Sequence, residues 1–233
     1  MQSMQSMQSI KQYLINLKRR PDRLQQFYDN YPFEKTSVEV IYGFDGKNPE
    51  NENINELRTF HSLLSNNLMP GEKGCFISHL RIYQDMIDKN IPLAVVMEDD
   101  AIFCENFKER MNELVNEMPN DFQILYFGGR FQPEFKMDPA TCHPVSTNIV
   151  SYPPIQWNQR NPGMHDRTTH GYIISRALAI WFMEQFRCRT DVTHLAIDNW
   201  MVQMCMDNSV EIKILSANPL LAYSPWISDS DIR

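Results

Sequence analysis

Residues 95–103 read VVMEDDAIF. Apolar residues run unbroken from Leu93 to Met97, three acids follow at Glu98, Asp99 and Asp100, and apolar residues resume at Ala101. An unbroken apolar run, as opposed to an alternating one, marks a strand covered on both faces. In open α/β sheets ligands sit beyond the carboxyl ends of such strands, and the acids fall at such an end. Three neighbouring carboxylates repel one another and resist ionisation unless something cationic compensates. A divalent cation with hard oxygen ligands, Mg²⁺ or Mn²⁺, is one economical solution. Capping of the next turn, or pairing with Arg and Lys, is the other. The triplet alone does not choose between them.

Further strands read outward from this one. YLINL (13–17) ends in a basic loop, VEVIYGF (38–44) ends in Asp45-Gly46, and FQILYF (122–127) ends in Gly128-Gly129. HGYIIS (170–175) runs straight into a helical pattern, and EIKIL (211–215) is a sixth strand. Helical stripes lie between them: Phe76, Ile77, Leu80, Tyr83 and Ile87; Phe107, Met111, Leu114 and Met118; Leu178, Trp181 and Phe182 after a capping Ser175. A last helix is expected to start at Asp191 and carry Leu195, Ile197, Trp200, Met201 and Met204. Pro21 suits the first turn of a helix reaching Tyr28. Strands alternating with helices predict an α/β fold with a mainly parallel central sheet flanked by helices.

The 233 residues are 42% hydrophobic and 22% charged, enough for one large domain with a sizeable core. Residues 1–11, which begin MQSMQSMQS, are expected to be a disordered tail, with one domain over 12–233. Residues 128–169 hold six prolines and few periodic apolar positions, and predict an irregular insertion of the lid or binding-loop kind. A net charge of −7 argues against nucleic acid or an anionic membrane surface as partner. Five widely spaced cysteines without a CxxC pair argue against a disulfide framework or zinc site. No signal peptide, membrane span or Asn-x-Ser/Thr sequon is legible, so a cytoplasmic location is expected. Oligomeric state is not legible.

Other clusters carry chemistry. INLKRRPDR (15–23) offers Asn16 for a base or ribose edge and Arg20 and Arg23 for phosphate or carboxylate; a solvated basic loop is the alternative. Asp45 in FDG can accept bonds from ribose or uracil, or simply close a turn. GEKGCFISHLRIYQDMI (71–87) sets His79 near a helix start, where it could meet a nucleotide or be a satisfied core histidine. His170, at a strand start, is a candidate metal or diphosphate contact. In AIDNWM (196–201), Asp198 sits in an apolar stripe and must find a partner or a cleft, which makes it a candidate general base. Trp200 beside it could stack on a sugar face. SPWISDSDI (224–232) reads either as a disordered tail or as a segment folding back toward a metal.

In their order, these motifs resemble glycosyltransferase family 25, which includes lipooligosaccharide and procollagen galactosyltransferases. The pieces are YLINLKRRPDR, FDG, GEKGCFISHLRIYQDMI, AVVMEDDAIF, THGYIIS, AIDNWM and SDSDI, spanning roughly 13–231. The resemblance implies a GT-A fold, a UDP-sugar donor, commonly UDP-galactose, a glycan or protein acceptor, inversion at the anomeric carbon, and Mn²⁺ or Mg²⁺. It implies Asp100 at the metal, and Glu98 or Asp99 against ribose or a metal-bound water; Asp99 and His170 are the further candidate metal ligands. It places Asn16, Arg20, Arg23, Asp45 and His79 around the donor, Asp198 as base and Trp200 near the acceptor. UDP-glucose as donor, or a catalytically dead domain that binds a glycan or partner, are the rival readings.

Overall fold

The computed structural model describes residues 7–53, 55, 60–129, 142–151, 168–188, 191–207 and 212–224. The strands are β1 (Lys11–Asn16), β2 (Val38–Tyr42), β3 (Leu93–Glu98), β4 (Ile102–Phe103), β5 (Ile124–Tyr126), β6 (Gly128–Gly129), β7 (His143–Pro144), β8 (Ile149–Ser151), β9 (Gly171–Ser175), β10 (Ile214–Ala217) and β11 (Ala222–Tyr223). The described α-helices are α1 (Pro21–Asn30), α2 (Pro70–Asp88), α3 (Phe107–Glu117), α4 (Arg176–Arg187) and α5 (Ile197–Asp207).

One sheet has the order β2-β1-β3-β9-β5-β10-β8-β7, and a small one the order β4-β11-β6. β1 pairs in parallel with β2 and β3, and β5 with β10, while β9 runs against both of its neighbours, β3 and β5. The sheet is therefore mixed about an otherwise parallel centre. Successive residues of its central strands enter opposite cores. Tyr13, Ala94, Val96, Ile124 and Tyr172 join one cluster with α2, α4 and α5. Leu14, Val95, Met97, Leu125 and Ile173 join the other with α1 and α3. Covering both faces is why these strands read as continuous apolar runs.

The expected helices form for the expected reasons. Ser175 Oγ accepts the Leu178 N–H at 3.3 Å and caps α4. Pro21 and Pro70 open α1 and α2, where no intrahelical N–H is needed. The Glu72 carboxylate accepts the Met69 N–H at 2.8 Å, closing the first turn of α2.

Three boundaries differ from expectation. Residues 7–9 form a 3-10 turn rather than part of a disordered tail, because Met7 is fully buried against α3 and its N–H bonds Asn112 at 3.0 Å; residues 1–6 lie outside the described residues. The last helix starts at Ile197, not Asp191, because the Thr193 backbone is committed to a bridge with Leu63 and Ser65 at 2.9 Å each way. The described parts of 128–169 are not wholly irregular: β6, β7 and β8 are paired strands. Residues 130–141 and 152–167 lie outside the described residues. Among the described residues no helix is long and apolar enough to cross a membrane.

The loop after β2 packs onto the start of α2 with no room for a side chain. A Cβ on Gly46 would lie 1.7 Å from the Pro70 carbonyl oxygen, and one on Gly74 2.5 Å from that of Phe44. Both obstacles are backbone, so relief requires moving the loop or the helix. Gly46→Ala is expected to cost about 1–3 kcal/mol, the range for overpacking, read as a fall in melting temperature; an unchanged melting temperature would show that the loop yields freely.

Candidate active site

The parallel strands β2, β1 and β3 end at one edge, and the chain runs from β1 to β2 on one side and then returns past β1 to β3 on its other side. That is a topological switch point, where the strand ends splay to make a crevice. The crevice is lined by Asn16, Arg19 and Arg23 after β1, by Phe44 and Asp45 after β2, and by Glu98, Asp99 and Asp100 after β3. Cys75 and Ser78 of α2 close its floor. Because β9 is antiparallel, its beginning lies at the same edge: Met97 faces Gly171, and the Glu98 N–H reaches the His170 carbonyl at 3.4 Å. A strand-start histidine is thereby delivered to a strand-end carboxylate.

The three acids have three different surroundings. Asp99 is held by protein on both oxygens: Asn16 Nδ2 donates to Oδ2 at 2.7 Å, and an Arg23 guanidinium nitrogen lies 2.7 Å from Oδ1. Burial nevertheless pushes the Asp99 carboxyl up to about 7; Arg23 opposes the rise, and Asp100 and Glu98 add to it. Glu98 behaves oppositely. Burial opposes its ionisation, but a bond from His79 and the proximity of His170 prevail and hold it well below the usual carboxylate range. Its Oε1 lies 3.3 Å from His79 Nε2. Asp100 Oδ2 accepts from Ser224 Oγ at 3.0 Å and lies 3.2 Å from Arg23 and 3.8 Å from His170 Nε2. Its Oδ1 is buried and has no hydrogen-bond partner, as is His170 Nδ1.

Donor atoms of Glu98, Asp100 and His170 lie within 4.8 Å of one another. With a buried carboxylate oxygen unsatisfied, this trio fits a divalent cation. An imidazole in the set suits a transition ion such as Mn²⁺ better than Mg²⁺, which prefers an all-oxygen shell. Of the residues expected at a metal, Asp100 and His170 fall in this trio; Asp99 does not, because Asn16 and Arg23 hold both of its oxygens, and Glu98 stands in its place. Cys75, His79 and Glu98 are equally close, but burial, with the charges of Glu98, Asp198 and Asp100, pushes the Cys75 thiol up and keeps it protonated. A thiol in that form is a poor ligand.

Other expectations divide. Asp45 lines the crevice, and its partner is Arg19, whose Nε donates to Oδ2 at 2.7 Å. Arg20, expected at the donor, instead turns its guanidinium to Asp22 at 2.9–3.2 Å, because as the residue before α1 it sits beside the first turn. His79 is wholly buried behind Glu98 and does not line the crevice. Asp198, half-buried in the first turn of α5, makes its charge felt at Cys75 together with Glu98 and Asp100, which puts it on the same side of the molecule. Trp200 is not an acceptor platform: it is fully buried, with ring centroids of Phe76, Phe182 and Phe186 at 5.3, 5.4 and 6.0 Å. Arg19, at Asp45, Ser224, at Asp100, and Thr169, whose side chain bonds Glu98, are not among the expected site residues. The adjacent basic run, the THGY motif and the start of SPWISDSDI were the available signals; 225–233 lie outside the described residues.

The family model described as glycosyltransferase family 25 (LPS biosynthesis protein) matches residues 9–201. The chain belongs to glycosyltransferase family 25. The mixed α/β sheet flanked by helices, with its crevice at the switch point, agrees with the fold expected from the resemblance to that family. The family 25 chain is similar to human procollagen galactosyltransferase 2, 28% identical over 172 residues, 70% of this chain and 25% of that protein. It is also similar to the Bos taurus probable inactive glycosyltransferase 25 family member 3, 30% identical over 128 residues, 50% of this chain and 21% of that one. This family 25 chain thus spans about a quarter of the length of these relatives. Among solved structures, a glycosyltransferase involved in glycosylation of the major capsid of PBCV-1 aligns with TM-score 0.49 at 7% identity, covering 95% of this chain and 94% of that one.

Asp99 gives a pH prediction. Its folded pKa of about 7 exceeds the ordinary value of 3.8, so between these the folded state holds more protons than the unfolded one. Stability from this group is present below about 4 and is lost as pH rises through 7. In EDTA, the loss of melting temperature from pH 4.5 to 8 should be smaller in Asp99→Asn than in the unsubstituted chain; equal slopes would remove Asp99 as the cause.

Proposed function

We propose that this chain is an inverting hexosyltransferase that moves galactose from UDP-galactose to an acceptor hydroxyl on a glycan or a hydroxylated side chain. The observation that carries the reading is the buried, unpartnered Asp100 Oδ1 beside Glu98 and His170, at the crevice beyond the ends of β1, β2 and β3. Family membership and the galactosyltransferase relative support the sugar.

Glu98, Asp100 and His170 would hold Mn²⁺, which when bound supplies positive charge to offset that on a departing diphosphate. Asn16, Arg19 and Asp45 line the crevice on the side of β1 and β2, where ribose and uracil edges would find donors and acceptors. Arg23 keeps Asp99 and part of Asp100 neutralised, so the site does not depend wholly on the ion to tolerate its acids. Asp198 accepts the proton of the acceptor hydroxyl as that oxygen bonds to the sugar C1 and the C1–O bond to the diphosphate breaks. Approach and departure on opposite faces give inversion, and holding the acceptor beside C1 supplies much of the rate.

A catalytically inactive binding domain is the second reading, favoured by the similarity to a relative described as probably inactive. Mn²⁺-stimulated hydrolysis of UDP-galactose separates the two. Asp100→Ala should abolish it and weaken Mn²⁺-dependent UDP binding. Asp198→Ala should lower transfer about 10²–10⁴-fold, the usual contribution of a general base, with UDP binding intact. Full turnover in Asp198→Ala would sink the base assignment, and UDP-glucose used in preference to UDP-galactose would sink the sugar.

A further inference from the structure

Behind Glu98 lies a row of buried polar atoms that nothing in the transfer step uses. His79 Nε2 faces Glu98 Oε1 at 3.3 Å; His79 Nδ1 lies 2.7 Å from the Tyr172 hydroxyl; that hydroxyl lies 3.0 Å from the Tyr83 hydroxyl. All three side chains are fully buried. They come from different elements, His79 and Tyr83 from α2 and Tyr172 from β9.

The chemistry of the groups orients the row. An ionised carboxylate can only accept, so His79 donates from Nε2. In the neutral imidazole Nδ1 is then an acceptor, so Tyr172 donates to it, and the Tyr172 oxygen accepts from Tyr83. Every buried atom is satisfied and every donor points toward Glu98. The reverse polarity would set a bare Nε2 lone pair against a carboxylate. The Met201 Sδ 3.3 Å from the Tyr83 hydroxyl is a weak acceptor and competes poorly. It also touches the row to α5, three residues beyond Asp198.

We propose that His79 and Tyr172 are positioning residues: together they fix the orientation of Glu98 for a divalent cation, and Tyr83 fixes theirs. The inference rests on the reading of Glu98 as a ligand in the site above, and extends it to three residues that touch neither ion nor substrate. A ligating carboxylate freed from such a support loses pre-organisation, and loss of an outer partner commonly weakens metal binding 10–100-fold. Tyr172→Phe is the informative variant, since it deletes one oxygen and keeps the ring that packs beside Tyr126 and His79.

The test uses the full chain and Mn²⁺ alone, titrated by electron paramagnetic resonance of the free ion, with circular dichroism as the control for folding. Tyr172→Phe is expected to weaken Mn²⁺ binding about 10-fold. His79→Leu should weaken it at least as much, and His79→Gln, which keeps an amide donor near Glu98, should recover part of the loss. In parallel, ¹⁵N chemical shifts of His79 report its tautomer: Nε2–H in the unsubstituted chain, and a mixture in Tyr172→Phe. Unchanged Mn²⁺ affinity in folded Tyr172→Phe and His79→Leu overturns the proposal, and so does an Nδ1–H tautomer in the unsubstituted chain. Should that chain bind no Mn²⁺ while its Nε2–H tautomer is lost in Tyr172→Phe, the hydrogen-bonded support of Glu98 stands and the metal reading fails.

Discussion

Three ionisable carboxylates on consecutive residues, at the end of a strand covered on both faces, are the constraint around which this molecule is organised. Water cannot solvate them all, and their mutual repulsion works against the sheet that carries them. The fold answers by giving each acid its own counterpart from a different part of the chain. Asp99 takes Asn16 from the end of β1 and Arg23 from α1; Glu98 takes His79 from α2; Asp100 takes Ser224 from beyond β11. Among the described residues, the three acids and His170 are left with one oxygen of Asp100 and one nitrogen of His170 without a partner. The functional reading begins from that remainder.

The second requirement is that these counterparts arrive at one edge. Parallel pairing aligns the ends of β1, β2 and β3, while the reversal of β9 lines up a beginning with those ends. An all-parallel sheet would have carried His170 to the opposite edge. The small sheet adds the last piece, since β11 pairs with β4 directly after the acids and leads the chain to Ser224. Close backbone contact at Gly46 and Gly74 clamps the other lip, where Asp45 and Arg19 face the crevice.

Much of this was legible from residue order. The VVM run announced a doubly covered strand, and all six expected strands are present with shifted ends. The acid cluster, Asn16, Arg23, Asp45 and His170 do come to one edge of the sheet, as expected of motifs placed next to strand ends. The division among Glu98, Asp99 and Asp100 was not legible, because consecutive residues of a turn point in different directions and only the partners reveal which. Arg19 and Arg20 were interchanged for the same reason. Trp200 was misread although its spacing from Ile197 and Met201 already placed it on the apolar stripe of α5; its wholly buried ring follows that stripe. His79 is legible as a polar residue of α2, but its contact with Tyr172, 93 positions away, is not.

The reversed strand β9 also ties assembly to the candidate site. Tyr172 faces one core and Ile173 the other, so sliding β9 by a single position along β3 would exchange them. The hydroxyl behind Glu98 would then be an isoleucine side chain, and the His170 carbonyl would no longer meet the Glu98 amide. A slipped chain would keep nearly the same secondary structure and apolar content, yet Glu98, Asp100 and His170 would no longer meet. Affinity for a small ion would therefore report whether two segments more than seventy residues apart had found their correct alignment, a quality that circular dichroism or molecular size would miss.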